Sequence, residues 1–163
     1  MKQLVLVGGG HSHVQVLRRL IMRPLPDTQI TVVVDQPVAV YSGMVPGLVA
    51  GQYTARELEI DVRPLARRAG ARVISAAATS VDPDRRLVAV QGRPPVPYDV
   101  ASINIGSTVA LQDLPGVREH AIATRPIGRF VARFERRLRG VGGSCDLVVV
   151  GGGAGGVELA FCA

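Results

Sequence analysis

The chain contains no tryptophan, one lysine (Lys2) and two cysteines in 163 residues. Cys145 and Cys162 form no C-x-x-C pair and are too few for a disulfide scaffold. No apolar run approaches the roughly 20 residues of a membrane-spanning helix, so no transmembrane segment is expected. The apolar residues 4–7 that follow Met1-Lys2-Gln3 are too short for a signal-peptide core. A cytoplasmic protein is therefore expected. The 19 glycines and 11 prolines follow no G-X-Y period, which excludes collagen. Aromatic residues number only three Tyr and three Phe, and the net charge of +6 comes almost wholly from arginines scattered along the chain. That is poor material for a base-stacking surface, and no nucleic-acid partner is expected. What is present is 47% hydrophobic and 20% charged, the balance of a globular domain. The length suffices for one domain with a core, not for two complete dinucleotide-binding domains.

The apolar residues 4–7, bounded by Gly8-Gly9-Gly10, read as a buried parallel strand. Over residues 11–22, Val14, Leu17, Leu20 and Ile21 share one helical face, and the prolines at 24 and 26 end that helix. Residues 30–34 form a second strand with Asp35 at its end, which completes a βαβ unit. Tyr41 to Gly47 reads as a loop with a short helical piece. Asp61 is placed to cap a helix over residues 62–69 that Gly70 ends. Residues 72–75 read as a strand, residues 79–82 and 86–90 as a hairpin, residues 92–95 as a turn, and residues 99–105 as a strand running into Gly106. Ile127, Phe130, Val131, Phe134 and Leu138 mark an amphipathic helix, expected to pack on a sheet with its arginines as a solvated face. A loop over residues 140–144 leads to a strand at 147–150 and then to Gly151-Gly152-Gly153-Ala154-Gly155-Gly156.

Two glycine turns carry the chemistry. A diphosphate must approach backbone closely, and a strand that turns sharply into a helix offers it N–H groups and a positive dipole end. Side chains would block that approach, so glycine is required there. Gly151-x-Gly153-x-x-Gly156 has the full dinucleotide fingerprint. Gly8-x-Gly10-x-x-His13 has two of its three glycines; with His13 in the third place, either the helix stands further off or the imidazole finds a gap. Asp35, 25 residues beyond Gly10, is placed to accept hydrogen bonds from ribose hydroxyls.

These motifs bracket residues 98–107 (YDVASINIGS), and together they resemble the FAD-dependent pyridine nucleotide-disulfide oxidoreductase superfamily. The strings GGGHSHV (8–14) and YSGMVPG (41–47) resemble its type II NADH dehydrogenase-like branch, which includes members fused to selenophosphate synthase. The resemblance covers nearly the whole chain but only the amino-terminal part of the family. It implies a Rossmann-like α/β fold with a parallel sheet, helices on both faces and a small inserted antiparallel sheet. Residues 1–140 are expected to form the FAD-binding domain, and residues 141–163 the first strand and helix start of an NAD(P)H-binding domain. It further implies FAD held by Gly8, Gly9, Gly10, His11, Ser12, Asp35, Tyr41 and Gly106, with NAD(P)H as co-substrate at Gly151, Gly153, Gly156 and Glu158.

Disulfide reductases of this superfamily keep a redox cysteine pair after the second strand, but residues 38–53 contain no cysteine. Electrons would then pass from flavin directly to an external small-molecule acceptor such as a quinone. No protein nucleophile or general base is identified. The alternative is an FAD-binding module without turnover of its own. His11 and His13 point apart on a helix with no acid or thiol nearby, so no metal is expected. His13 and both cysteines are expected to be packing residues. Apolar surface on the last strand is expected either to pair with another copy or to destabilise that end; a homo-oligomer or missing C-terminal domains are the implied partners, and quinone use would imply contact with the membrane periphery.

Overall fold

The structure, a computed structural model, describes residues 1–109, 114–143 and 145–163. In chain order its first elements are β1 (Lys2–Val7), α1 (His11–Met22), β2 (Thr28–Val33), β3 (Val38–Val40), α2 (Val45–Val49), β4 (Glu59–Asp61) and α3 (Val62–Arg68). There follow β5 (Arg72–Ile74), β6 (Ala78–Asp82), β7 (Leu87–Val90), β8 (Arg93–Pro97), β9 (Val100–Ile103), α4 (Val117–His120), α5 (Ile127–Arg139) and α6 (Ala154–Cys162). Short 3-10 turns occupy Ser42–Met44 and Ala55–Leu58. The chain divides into two compact units, Met1–Ala39 with Ile60–Gly106, and Val40–Glu59 with Ser107–Ala163. The strand pair β3–β4 lies where the chain passes from one to the other.

The first unit is built on a parallel sheet of order β5-β2-β1-β9. Its central strands are buried on both faces, which is why they read as continuous apolar runs. Side chains alternate between the faces. Leu6, Ile30, Val32 and Val34 pack with Val14, Leu17 and Leu20 of α1 and Val62 and Ala66 of α3. Val5, Val7 and Val33 pack with Val88, Val90 and Val96 of the antiparallel sheet β6-β7-β8. Helices therefore cover one face of this unit, and the inserted sheet covers the other, where a second helical layer is expected from the sequence. The reason is the two-residue period of β7, which gives the hairpin one apolar face that must find a partner.

A second correction concerns Arg93, Pro94 and Pro95, expected as a turn. They form strand β8, paired to β7 through Leu87–Pro97, Val88–Val96 and Val90–Arg93. Proline lacks the donor a central strand needs, but β8 is an edge strand, where that loss is tolerated. The turn sits instead at Gln91-Gly92, with Gly92 at φ +65.

Asp61 caps α3 as the sequence predicts: its Oδ1 accepts the Arg63 amide at 2.9 Å, and the Arg63 guanidinium folds back on the carboxylate at 2.7 Å. The Arg63 side-chain hydrogen bonds, aided by its amide, hold the Asp61 carboxyl below its usual range. Asp61→Ala is expected to cost about 1 kcal/mol through the lost cap; the exposed ion pair adds little. Because the folded value is depressed, the contribution is present at neutral pH and fades as the carboxylate is protonated below about pH 4. Urea denaturation of parent and variant should differ at neutral pH and converge in acid.

The second unit has its own core. Val45 and Leu48 of α2, with Leu58, pack against Phe130, Val131 and Phe134 of α5, whose two rings stack at 5.6 Å. The amphipathic helix thus packs on another helix and a 3-10 turn, not on a sheet as expected. Its apolar stripe specifies burial, not the partner. The Ala55–Leu58 turn is fixed by a capping box between Thr54 and Glu57. Residues 147–150, expected as a strand, pair with no other strand among the described residues, and Val148 and Val150 are exposed. A strand needs a neighbour to satisfy its amides. Cys145, expected to be buried, is exposed beside that segment, while Cys162 is half-buried. Ser144, the end of the expected loop, lies outside the described residues.

Candidate functional site

In the first unit the parallel strands all end on one edge, and the predicted residues gather there. Gly8 follows β1, and its amide donates to the Val33 carbonyl of β2 at 2.8 Å. Asp35 stands two residues further along, exposed, with one carboxylate oxygen accepting the Gln36 amide at 2.9 Å. Gly106, at φ +83, lies just beyond β9 with nothing within 4 Å of the side-chain position it lacks. Open sheets of this kind bind ligands at the carboxyl ends of their strands.

The glycine turn between β1 and α1 is closely packed. A Cβ on Gly8 or Gly10 would run into Asn104, whose carbonyl also accepts the Gly10 amide at 3.1 Å. A Cβ on Gly9 would press on Val34 at 3.3 Å. Gly10 is the N-cap of α1, and the first helical bond runs from the Val14 amide to the Gly10 carbonyl at 3.1 Å. The amides of the first turn, which begins His11-Ser12, have no intrahelical acceptor, and that turn carries no acidic residue at its positive end.

His13 is more than a packing residue. Its ring is 1% exposed and hydrogen-bonded at both nitrogens, Nδ1 to the Gly8 carbonyl at 2.7 Å and Nε2 to Ser102 Oγ at 2.9 Å. A carbonyl can only accept, so Nδ1–H donates to Gly8, and Nε2 shares a hydrogen bond with the Ser102 hydroxyl, which can donate or accept. His13 thus ties the first residue of the turn to β9. The signal in the sequence was the missing third glycine, but its partner Ser102 lies 89 residues away and nothing local points to it.

The second motif repeats this geometry within the other unit. Gly151 has φ +122, Gly153 is the N-cap of α6, and the Val157 amide donates to the Gly153 carbonyl at 3.0 Å. A Cβ on Gly156 would collide with the Gly151 carbonyl, so the third glycine allows the helix to sit directly on the first. In the first motif the same contact is made at longer reach, by an imidazole. The helix stands off and the ring fills the gap.

Glu158 is exposed on α6. Tyr41, in the same unit, precedes the Ser42–Met44 turn and lies over Gly43, where a Cβ would meet the ring at 3.0 Å. Tyr53 covers Gly47 in the same way. These glycines make room for tyrosine rings. The structure thus gathers Gly8, Gly9, Gly10, His11, Ser12, Asp35 and Gly106 on one edge of the first unit; Tyr41, Gly151, Gly153, Gly156 and Glu158 belong to the second. Tyr98 and Asp99 serve the fold: the Tyr98 amide reaches the Arg86 carbonyl, and Asp99 exchanges bonds with Gln3 of β1. Among the described residues no cluster of His, Cys, Asp and Glu could hold a metal, and no helix is long and apolar enough to cross a membrane.

Comparison with known proteins identifies the family and the fold. Residues 2–163 match the family model described as pyridine nucleotide-disulphide oxidoreductase. The chain is 30% identical over 161 residues to the NADH dehydrogenase-like protein YutJ of Bacillus subtilis, covering 98% of this chain and 44% of that protein. It is 28% identical over 105 residues to the sulfide-quinone reductase of Aquifex aeolicus, 64% of this chain and 24% of that one. The chain thus spans less than half the length of these relatives. Among solved structures, the water-forming NADH oxidase of Lactobacillus brevis superposes with a TM-score of 0.81 over 99% of this chain and 37% of its own, at 20% identity.

Proposed function

Since the chain belongs to the pyridine nucleotide-disulphide oxidoreductase family, we propose that it is the flavin-binding part of an oxidoreductase that passes electrons from NAD(P)H through FAD to a quinone. One observation carries this reading: the Gly8–Gly10 turn, the start of α1 with no acid in its first turn, and the Asp35 carboxylate share one edge of a parallel sheet. Those groups fit the diphosphate and ribose of FAD. The α1 terminus supplies positive potential to the diphosphate, the glycines keep side chains out of its way, and Asp35 accepts from ribose hydroxyls. His11 and Ser12 lie in the first turn of the same helix, and Gly106 leaves the end of β9 open. FAD bound there supplies the two-electron step between nicotinamide and acceptor.

Residues 1–140 serve FAD, and residues 141–163 open the nicotinamide-nucleotide domain, with Gly151, Gly153, Gly156 and Glu158 facing that co-substrate. The repeated turn geometry supports this division. The cysteine-free segment 38–53 favours direct transfer to the acceptor over a thiol relay. Likeness to the Aquifex sulfide-quinone reductase favours a quinone as that acceptor.

The test is the visible absorption spectrum of the purified chain after mixing with excess FAD and gel filtration. Flavin is expected to remain bound. Asp35→Ala is expected to weaken FAD binding by about tenfold or more, the worth of a charge-assisted hydrogen bond. A flavin-free spectrum would remove the reading. Retained flavin that NADH cannot reduce would select the binding module without turnover.

A further inference from the structure

The outward face of α5 is not ordinary solvated surface. At 100° per residue, Arg139, Arg136, Arg129, Arg133 and Arg137 fall within about 160° of the helix surface, opposite the buried Phe130, Val131 and Phe134. Glu135 lies outside that arc. Arg125, from the segment before α5, joins Arg129 and Arg133 around a cavity of about 70 Å³ that no carboxylate lines. A single water needs about 10–15 Å³ of such space, so the cavity admits a group larger than one water. None of these six arginines forms an ion pair among the described residues.

The placement also runs against helix stability. Cations belong at the carboxyl end of a helix and anions at the amino end. Arg125 and Arg129 nevertheless flank the amino end of α5, whose first turn has no acid. Helix dipole and guanidinium charge there add, and no ion pair among the described residues opposes them. Arginine cannot relieve this by losing its proton. A phosphate oxygen can, through the paired N–H groups of the guanidinium fork.

We infer that this arginine face docks the protein on an anionic phospholipid surface, with a headgroup phosphate seated between Arg125, Arg129 and Arg133. The choice of lipid over another polyanion rests on the quinone reading above, since a lipid-dissolved acceptor must be met at the membrane surface. A single-stranded nucleic acid is disfavoured, because the aromatic residues of α5 are buried in the core and offer no stacking platform.

The test uses the full chain and vesicles of phosphatidylcholine, with or without one-third phosphatidylglycerol, in co-sedimentation; no turnover is measured, so its outcome is independent of whether FAD binds. Binding is expected only to the anionic vesicles and is expected to vanish at about 0.5 M salt. Each arginine near an anionic surface contributes about fivefold in affinity, so R125Q/R129Q/R133Q should lose roughly 100-fold. The second variant, R136Q/R137Q/R139Q, changes only exposed side chains and should also lose most binding. The control R18Q/R19Q/R23Q removes the same charge from α1 and should lose less than about fivefold. Equal losses in all three variants would reduce the effect to net charge and overturn the proposal. So would equal binding to both vesicles, or displacement from anionic vesicles by duplex RNA at matched phosphate.

Discussion

Gly8→Ala is expected to destabilise the first unit by about 3 kcal/mol and to abolish flavin retention. The residue sits at φ +92, where a side chain is strained wherever it points. Its missing Cβ would also lie 2.7 Å from the Asn104 carbonyl carbon and 2.9 Å from Ile105 Cα, both main-chain atoms. Gly8 cannot rotate away, because its amide is bound to Val33 and its carbonyl to His13. Gly106 supplies the comparison. It has a similar φ of +83 but open space around it, so Gly106→Ala should cost only the conformational part, about 1 kcal/mol. Urea titrations of the two variants measure the difference, which is the steric share. If both variants lose equal stability, Asn104 yields and the turn is looser than the structure shows.

The second large effect is at His13, where returning to the family pattern should do harm. His13→Ala leaves a void under the turn and strands the buried Gly8 carbonyl, at a cost of about 2–4 kcal/mol. His13→Gly restores the third glycine of the fingerprint, yet it should be worse, by up to about 1 kcal/mol, because glycine also weakens the helix. In the second motif a glycine works because the helix rests on the Gly151 carbonyl. Here α1 stands off, and the imidazole is what spans the distance at 2.7 Å. Ser102→Ala should cost about 1 kcal/mol, and the double variant less than the sum of the single losses, since the two side chains share one bond. Thermal denaturation of the four proteins decides the matter. A His13→Gly protein as stable as its parent would show that the helix can close onto the turn.

Much of the first unit was readable along the chain because its signals are local. Apolar runs ending in glycine marked β1 and its turn, a 3.6-residue period marked α1, and Asp61 and Gly70 marked the ends of α3. The prolines of β8 misled, because proline reports a missing donor and not whether a strand lies at an edge. Periodicity gave the buried face of α5 but not the neighbour it would meet. Residues 147–150 carry the composition of a strand, but pairing depends on a partner.

The residues themselves determined the two glycine turns, the acid after β2 and the lack of cysteine in residues 38–53, because each depends on one short segment. Tertiary structure alone decided the rest: that the hairpin covers the second face of the sheet, that Arg125 joins the arginines of α5, and that His13 meets Ser102. Those contacts join residues far apart in sequence. Their distance is set by the packing of whole elements, which no short stretch of chain encodes.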